Sequence, residues 1–371
     1  MIHYSVHHQC RDSAARVGII KTSRGEVPTP VFMPVGTQAS VKTLDPKEID
    51  AVSEGIILAN TYHLWLQPGE AIVQSHGSVH QFMQWPKAML TDSGGYQVFS
   101  LSDLRKIDES GVHFRHHKSG APLFLSPERS IDIQHKLGAD IIMSFDECAP
   151  FDADYDYMKL SVERTLRWAK RGKEAHQDST QALFGIVQGG PYEDLRMHSL
   201  KETMAIGFDG IAIGGLSVGE TKAEMLNVLD FLMPHLPKAL PRYLMGVGTP
   251  EDLLEGIARG IDMFDCVNPT RLARHGAAYT KDGQISIKSK RYETALESLD
   301  HTCSCHVCQT YTRSYIRHLF KAGETLGARL VSYHNLAFLK TLMADARDAI
   351  KRDAFLTFKD AFLARFLAQT A

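Results

Sequence analysis

The stretch Arg242-Tyr243-Leu244-Met245-Gly246-Val247-Gly248 runs directly into Thr249-Pro250-Glu251-Asp252. The first part is a short apolar run that ends in glycines, as expected of a parallel strand buried on both faces. The second part is a helix start: a threonine N-cap, proline at the first helical position and acidic residues in the first turn. Leu253, Leu254, Ile257 and Ile261 then share one face. One strand, one tight turn and one helix make half of a βαβ unit. The same unit recurs along the chain, and Ser126-Pro127-Glu128 is another helix start of this kind. Eight apolar segments alternate with amphipathic helical patterns: Val31–Gly36, Gly55–Asn60, Ala88–Gly94, Asp140–Asp146, Leu183–Gly189, Gly210–Leu216, Arg242–Gly248 and Met263–Pro269. Eight strands with helices between them predict an α/β fold, a (β/α)8 TIM barrel, with a doubly wound open sheet as the alternative.

The segments end alike. Asp92-Ser93-Gly94-Gly95, Asp146-Glu147-Cys148, Gln188-Gly189-Gly190, Gly214-Gly215-Leu216, Gly246-Val247-Gly248 and Asp265-Cys266 are polar or glycine-rich. In a barrel the strand C-termini converge on one face, where active sites lie. Convergence would gather Asp92, Asp146, Asp265 and Gln188 into one pocket. Taken singly, each is also an ordinary turn residue. As a set they point to a site, because turn chemistry does not require Asp and Gln at strand ends.

A second constellation lies near the C-terminus. Cys303, Cys305 and Cys308 fall within six positions, and His334 follows 26 residues after the last of them. Three thiolates and one neutral imidazole complete a tetrahedral zinc site with no open position for water, so one structural Zn2+ per subunit is expected there, and the chemistry must lie elsewhere. Three unpaired thiols in a reducing compartment are the plainer reading.

The chain has 371 residues and is 44% hydrophobic, enough for one large core with a small appendage. Its net charge of −2 leaves any nucleic-acid partner to a local patch. Such a patch is available between Arg271 and Arg291, where six positive side chains face only Asp282, although a solvated hairpin surface would look the same. No apolar run reaches membrane-span length, the first residues lack a signal-peptide core, and Cys10, Cys148 and Cys266 are scattered. These features predict a cytoplasmic protein without membrane association. Leu336, Leu339, Met343, Ala346 and Ile350 step along one helix face, and Phe355, Phe358, Phe362 and Phe366 form a terminal stripe. Both suit core or dimer packing better than a cofactor site.

The motifs Asp92-Ser93-Gly94-Gly95-Tyr96-Gln97, Phe145-Asp146-Glu147-Cys148, Gly185-Ile186-Val187-Gln188-Gly189-Gly190, Gly214-Gly215-Leu216-Ser217-Val218-Gly219-Glu220, Phe264-Asp265-Cys266, Pro269-Thr270-Arg271 and the Cys/His set occur in that order over nearly the whole chain. In this the chain resembles the tRNA-guanine transglycosylases in their bacterial form. The resemblance implies one transglycosylase domain over 1–371. Its barrel would span about 12–275 plus C-terminal helices, with a zinc-binding subdomain at about 276–345. It also implies a homodimer acting on the tRNA anticodon loop, with a small base as second substrate.

The implied reaction replaces guanine 34 of GUN-anticodon tRNAs (Asp, Asn, His, Tyr) by a 7-deazaguanine in queuosine biosynthesis, through a covalent enzyme–RNA intermediate. Two displacements at C1′ retain configuration. By resemblance Asp265 is the nucleophile and Asp92 the general acid/base. The base would be bound by Ser93, Gly94, Gly95, Asp146, Cys148, Gln188, Gly215, Leu216, Val218 and Glu220, between Tyr96 and Met245. Donor patterns agree: a carboxylate such as Asp146 accepts N1–H and the 2-amino group together, while the Gln188 amide and Gly215 N–H suit O6. Cys148 and the bulk of Val218 match the bacterial pattern, which takes guanine and preQ1 (7-aminomethyl-7-deazaguanine) and crowds out queuine. RNA contacts are expected from Gly246, Val247, Gly248, Thr249, Pro250, Glu251, Asp252, Thr270, Arg271, Leu272, Ala273 and Arg274. The family commonly reads Pro-Thr-Arg-Asn-Ala-Arg-Asn-Gly here; this chain has Leu272 and His275 at the two asparagine positions, which bears on neighbouring-base contacts and not on the reaction. Two other classes remain: a zinc-module RNA-binding protein without catalysis, and a zinc-dependent barrel hydrolase, which would need an open, His-rich metal site at the strand ends.

Overall fold

The computed structural model describes residues 2–101, 105–116, 119–178 and 180–368. Each of the eight apolar segments contains one strand of a closed parallel barrel: β1 Val31–Gly36, β2 Ile56–Ala59, β3 Ala88–Thr91, β4 Ile141–Met143, β5 Ala182–Val187, β6 Gly210–Ile213, β7 Arg242–Leu244 and β8 Met263–Cys266. The strands neighbour one another in chain order, and β8 pairs back onto β1 with Met263 opposite Val31 and Asp265 opposite Met33. That closure sets aside the open sheet. Seven of the eight strands stop one to four residues short of the predicted segment ends. Where glycine and polar residues begin, the backbone leaves the ladder and forms the loops of the site.

Period-2 alternation sorts the side chains of the strands. Val31, Met33, Ile56, Leu58, Ala88, Leu90, Ile141, Met143, Phe184, Ala212, Tyr243 and Met263 fill the barrel interior. Phe32, Ile57, Met89, Ile142, Leu183, Ile211, Leu244 and Phe264 face outward, against the helices. The helix starts behave as read: Thr249 Oγ1 accepts from Asp252 N at 3.2 Å, and Ser126 Oγ accepts from Arg129 N at 3.1 Å.

The N-terminal face of the barrel is closed by an antiparallel sheet of His3–Gln9, Arg16–Thr22 and Gly25–Thr29, whose Ile20 and Val27 join the interior core. Asp262, fully buried just before β8, ties this sheet down. It accepts from Arg16 Nε (2.9 Å) and Nη2 (2.5 Å), Tyr4 Oη (2.7 Å) and Arg242 N (2.8 Å).

After β8 comes a short helix, Asn268–Arg274, then the hairpin Ala277–Thr280/Gly283–Ser286 and the helices His306–Thr310 and Arg313–Ala322. The long helix Thr325–Lys351 follows. Its first part packs Leu330 and Val331 into a separate small core with Val307, Ile316 and Leu319. Its second part sends Leu336, Leu339, Met343, Ala346 and Ile350 into the main core, which accounts for that stripe as core packing. The terminal phenylalanines lie on the helix Phe355–Phe366, where Phe362 and Phe366 pack on Phe338.

Candidate active site

The C-terminal mouth of the barrel holds a cavity of about 400 Å³, a common size for a small-molecule pocket. Its lining includes Asp92, Ser93, Gly94, Tyr96, Asp146, Cys148, Gln188, Gly215, Leu216, Val218, Met245, Gly246, Asp265 and Arg271. All eight barrel strands, or the loops that follow them, supply these residues and the neighbouring Val35 and Asn60.

Asp265 sits near the end of β8. Tyr243 Oη donates to its Oδ1 at 2.6 Å and Gly246 N at 2.8 Å. Both fixed donors go to one oxygen, and among the described residues Oδ2 accepts from none. Burial raises the Asp265 carboxyl above the usual range, with the two donors pulling it back. Asp92 is held from both sides: Asn60 Nδ2 (2.5 Å) and Gln97 Nε2 (2.8 Å) donate to Oδ2, and Thr61 N (2.8 Å) to Oδ1. Burial nevertheless pushes it up to about 6, with the Asp265 charge adding to the rise. That value lies close to neutrality, where a proton donor and acceptor is most useful.

Asp146 is the third carboxylate. Ser93 Oγ donates to its Oδ1 at 3.3 Å and Gln188 Nε2 to its Oδ2 at 2.7 Å, and burial again raises it to about 6. Gln188 thus spends one amide hydrogen on Asp146 and keeps one for a ligand. The Gly214-Gly215 pair is dictated by Gln188: a Cβ on Gly214 would lie 2.6 Å from Nε2 and one on Gly215 2.4 Å from Oε1, and Gly215 has φ +63°. Cys148 is pushed up to about 12 by burial and by Asp146, so its thiol stays neutral. Tyr96 is half-exposed at the rim, on the opening helix turn Gly95–Leu101.

Not every expected residue reaches the cavity wall. Gly95 lies behind Asp146, where a Cβ would meet the Asp146 carbonyl at 2.9 Å. Glu220 turns away from the cavity, and its carboxylate accepts from Ser217 N and, at 3.0 Å, from Val218 N. Of the stretches expected to meet RNA, Gly246 and Arg271 are exposed, whereas Val247, Gly248, Pro250, Thr270 and Ala273 are buried. Thr249 caps its helix, and Glu251 and Asp252 pair with Lys222 at 2.5 and 2.9 Å. Leu272 packs against the main core, and Arg274 is half-buried on the same helix. Sequence reasoning passed over Asn60, Tyr243 and Arg196. Asn60 carried the same signal as the others, a polar residue at a strand end. Tyr243 and Arg196 carried none.

The Cys/His set comes together apart from the cavity. The ligand atoms of Cys303, Cys305, Cys308 and His334 all lie within 4.8 Å of one another. His334 Nε2 donates to the Tyr279 carbonyl at 2.7 Å, which leaves Nδ1 bare; it faces the sulfurs of Cys308 at 3.3 Å and Cys305 at 3.6 Å. Tetrahedral zinc bonds put sulfur and nitrogen roughly 3.6 Å apart. The cluster is therefore able to hold a metal, with an outer hydrogen bond that fixes the imidazole tautomer.

The arrangement puts a carboxylate with one open oxygen, a carboxyl raised to about 6 and a third carboxylate beside the Gln188 amide into one cavity. The family model described as "Queuine tRNA-ribosyltransferase" matches residues 10–368. Curated relatives of the same name are similar over nearly their whole length. That of Halothermothrix orenii is 56% identical, covering 99% of this chain and 98% of its own. Those of Enterococcus faecalis and Bacillus subtilis are 55% and 54% identical, each covering 98% of this chain and 96% of its own.

Proposed function

The chain belongs to the queuine tRNA-ribosyltransferase family, and from that premise we propose that it exchanges guanine 34 of GUN-anticodon tRNAs for preQ1 by double displacement. The observation that carries this reading is the placement of Asp265 and Asp92 in one cavity with Asp146, Gln188 and Gly215. In the first step Asp265 Oδ2 attacks C1′ of the extruded nucleotide. The C1′–N9 bond breaks with its electron pair going to the base, and Asp92 gives a proton to a ring nitrogen of the departing guanine. In the second step Asp92 takes the N9 proton of the incoming base. That nitrogen forms the new bond to C1′ and the aspartyl ester breaks, which regenerates the Asp265 carboxylate.

Asp146 accepts N1–H and the 2-amino group, while Gln188 and the Gly215 N–H donate to O6. Adenine would leave these groups unpaired. Tyr96 and Met245 enclose the base from its two faces. Val218 limits the room beside the 7-substituent, which favours a small aminomethyl group. The anticodon loop lies across the rim at Gly246, Thr249, Arg271 and Arg274, with phosphate contacts from the arginines. The Cys303/Cys305/Cys308/His334 cluster holds a structural Zn2+, since four protein ligands leave no position for water. The enzyme works as a cytoplasmic homodimer, and no helix among the described residues is long and apolar enough to cross a membrane.

Incorporation of labelled guanine into unmodified tRNA-Tyr tests the reading. The wild type exchanges guanine and Asp265→Asn does not, and preQ1 competes far better than queuine. A folded wild type without exchange, or an active Asp265→Asn enzyme, would overturn it.

A further inference from the structure

Behind the base-binding loops lies a cation that forms no ion pair with a carboxylate among the described residues. Arg196, on the helix Glu193–Ile206, is completely shielded from solvent. Its guanidinium reaches four backbone carbonyls. Nε donates to Gly190 O at 2.9 Å, Nη1 to Gly214 O at 2.8 Å and Val187 O at 3.2 Å, and Nη2 to Gly215 O at 3.4 Å. One helical turn on, Ser199 Oγ accepts from Gln188 N at 3.1 Å. A single helix face therefore grips the loops after both β5 and β6, the two that present Gln188 and Gly215 to the cavity.

A buried cation is costly to keep, and among the described residues the hydrogen bonds of this one all go to backbone carbonyls. Burial lowers it to about 10, with Cys148 and Glu220 opposing the fall, so it stays charged at neutral pH. A neutral side chain would brace a loop at lower cost. The charge has a particular target. The Gly214 carbonyl and the Gly215 N–H belong to one planar trans peptide and point in opposite directions. Fixing the carbonyl on the guanidinium aims the N–H forward, and it faces Cys148 in the cavity lining. The neighbouring charge also polarises the peptide and strengthens the N–H as a donor. When the glycosidic bond breaks, the electron pair that enters the purine raises the negative charge on its oxo group. A pre-aimed donor acts most strongly on charge that develops in the transition state.

We propose that Arg196 is a positioning residue that orients and polarises the Gly214–Gly215 peptide, so that the Gly215 N–H stabilises the developing charge on the oxo group of the departing purine. The proposal rests on the exchange reaction inferred above, and wild-type exchange of labelled guanine checks that reading separately. Arg196→Met removes the charge; Arg196→Lys keeps it with fewer donors. In Arg196→Met, kcat for guanine exchange should fall roughly 10²-fold, the size seen for loss of an oxyanion donor, with KM for tRNA unchanged within about two-fold. Arg196→Lys should recover part of kcat. The sharper readout is competition by guanine and by 6-thioguanine, whose sulfur is the weaker acceptor and whose other edge is unchanged. The wild type should prefer guanine, and the preference should shrink toward one in both variants. Equal weakening of both bases, or KM for tRNA rising in step with the fall in kcat, would mark Arg196 as a structural brace and overturn the proposal. Should Arg196→Met fail to fold, the base preference of Arg196→Lys decides alone: wild-type discrimination refutes the proposal and reduced discrimination supports it.

Discussion

Asp146 works under opposing demands. It must be charged to accept two donors from a purine edge, yet burial raises it to about 6 against an ordinary value of 3.8. A carboxylate raised in the folded state contributes stability that is present below its unfolded pKa and is lost as pH rises through the folded value. Near pH 7 the ionised group therefore weakens the fold. Asp146→Asn should melt several degrees above the wild type at pH 7.5, with the difference vanishing near pH 4, as thermal melts across that range would record. Ser93 Oγ and the Gln188 amide can both turn to suit the new amide. The same variant should bind guanine far more weakly, because it accepts from only one oxygen. Asp92 carries the same strain, since its carboxyl is also raised to about 6. Asp92, Asp146 and Gln188 were legible as polar residues at the ends of apolar runs. Tyr243 was not, because a tyrosine inside an apolar strand reads as core, and only the pairing of β7 with β8 puts its hydroxyl 2.6 Å from Asp265.

The strands show why the site forms where they stop. β2, β3, β4, β5 and β6 are followed directly by Asn60, Asp92, Ser144, Gln188 and Gly214, so much of the chemistry starts where main-chain pairing ends. The loop after β6 is the most constrained of these, since Gln188 occupies the space that two side chains would need. Gly215→Ala forces a Cβ to within 2.4 Å of Gln188 Oε1, at a φ that side chains rarely adopt. It should reduce kcat by at least roughly 10²-fold through the displaced Gly215 N–H, measured by guanine exchange, while the barrel keeps its far-ultraviolet spectrum. The helix Thr325–Lys351 has a dual use that its apolar periodicity does not reveal. The 3,4,3,4 stepping of Leu336 to Ile350 predicts one buried face, which is observed. That the helix also carries His334 into the metal cluster and packs Leu330 into a second core follows from where the preceding hairpin and helices place the cysteines.

The two ends of the barrel have separate tasks. The C-terminal mouth keeps three raised carboxylates, while the N-terminal face is neutralised and plugged. There Asp262 answers Arg16 and the Arg242 backbone beneath a three-stranded sheet. In this fold the first face carries catalysis and the second stability. Asp262→Ala leaves the Arg16 guanidinium buried without its counter-charge, and should lower stability by about 3–5 kcal/mol in denaturant unfolding. The kcat of the folded fraction should stay at the wild-type level. A large fall in kcat at unchanged stability would mean that the bottom plug shapes the site.

Local periodicity, caps and composition were enough to settle the strand count, the strand–helix alternation, the Cys/His set and most of the carboxylates, because these depend on near neighbours in the chain. Barrel closure, the burial that raises Asp92 and Asp146, the oxygen of Asp265 that stays open, and the reach of Arg196 to two loops all join residues far apart in sequence. Those contacts arise only once neighbouring strands pair, the helices pack on them and the ring closes. The reason is physical: hydrogen-bonding periodicity is set by a few residues at a time, whereas desolvation and charge depend on everything within several ångströms, whatever its place in the chain.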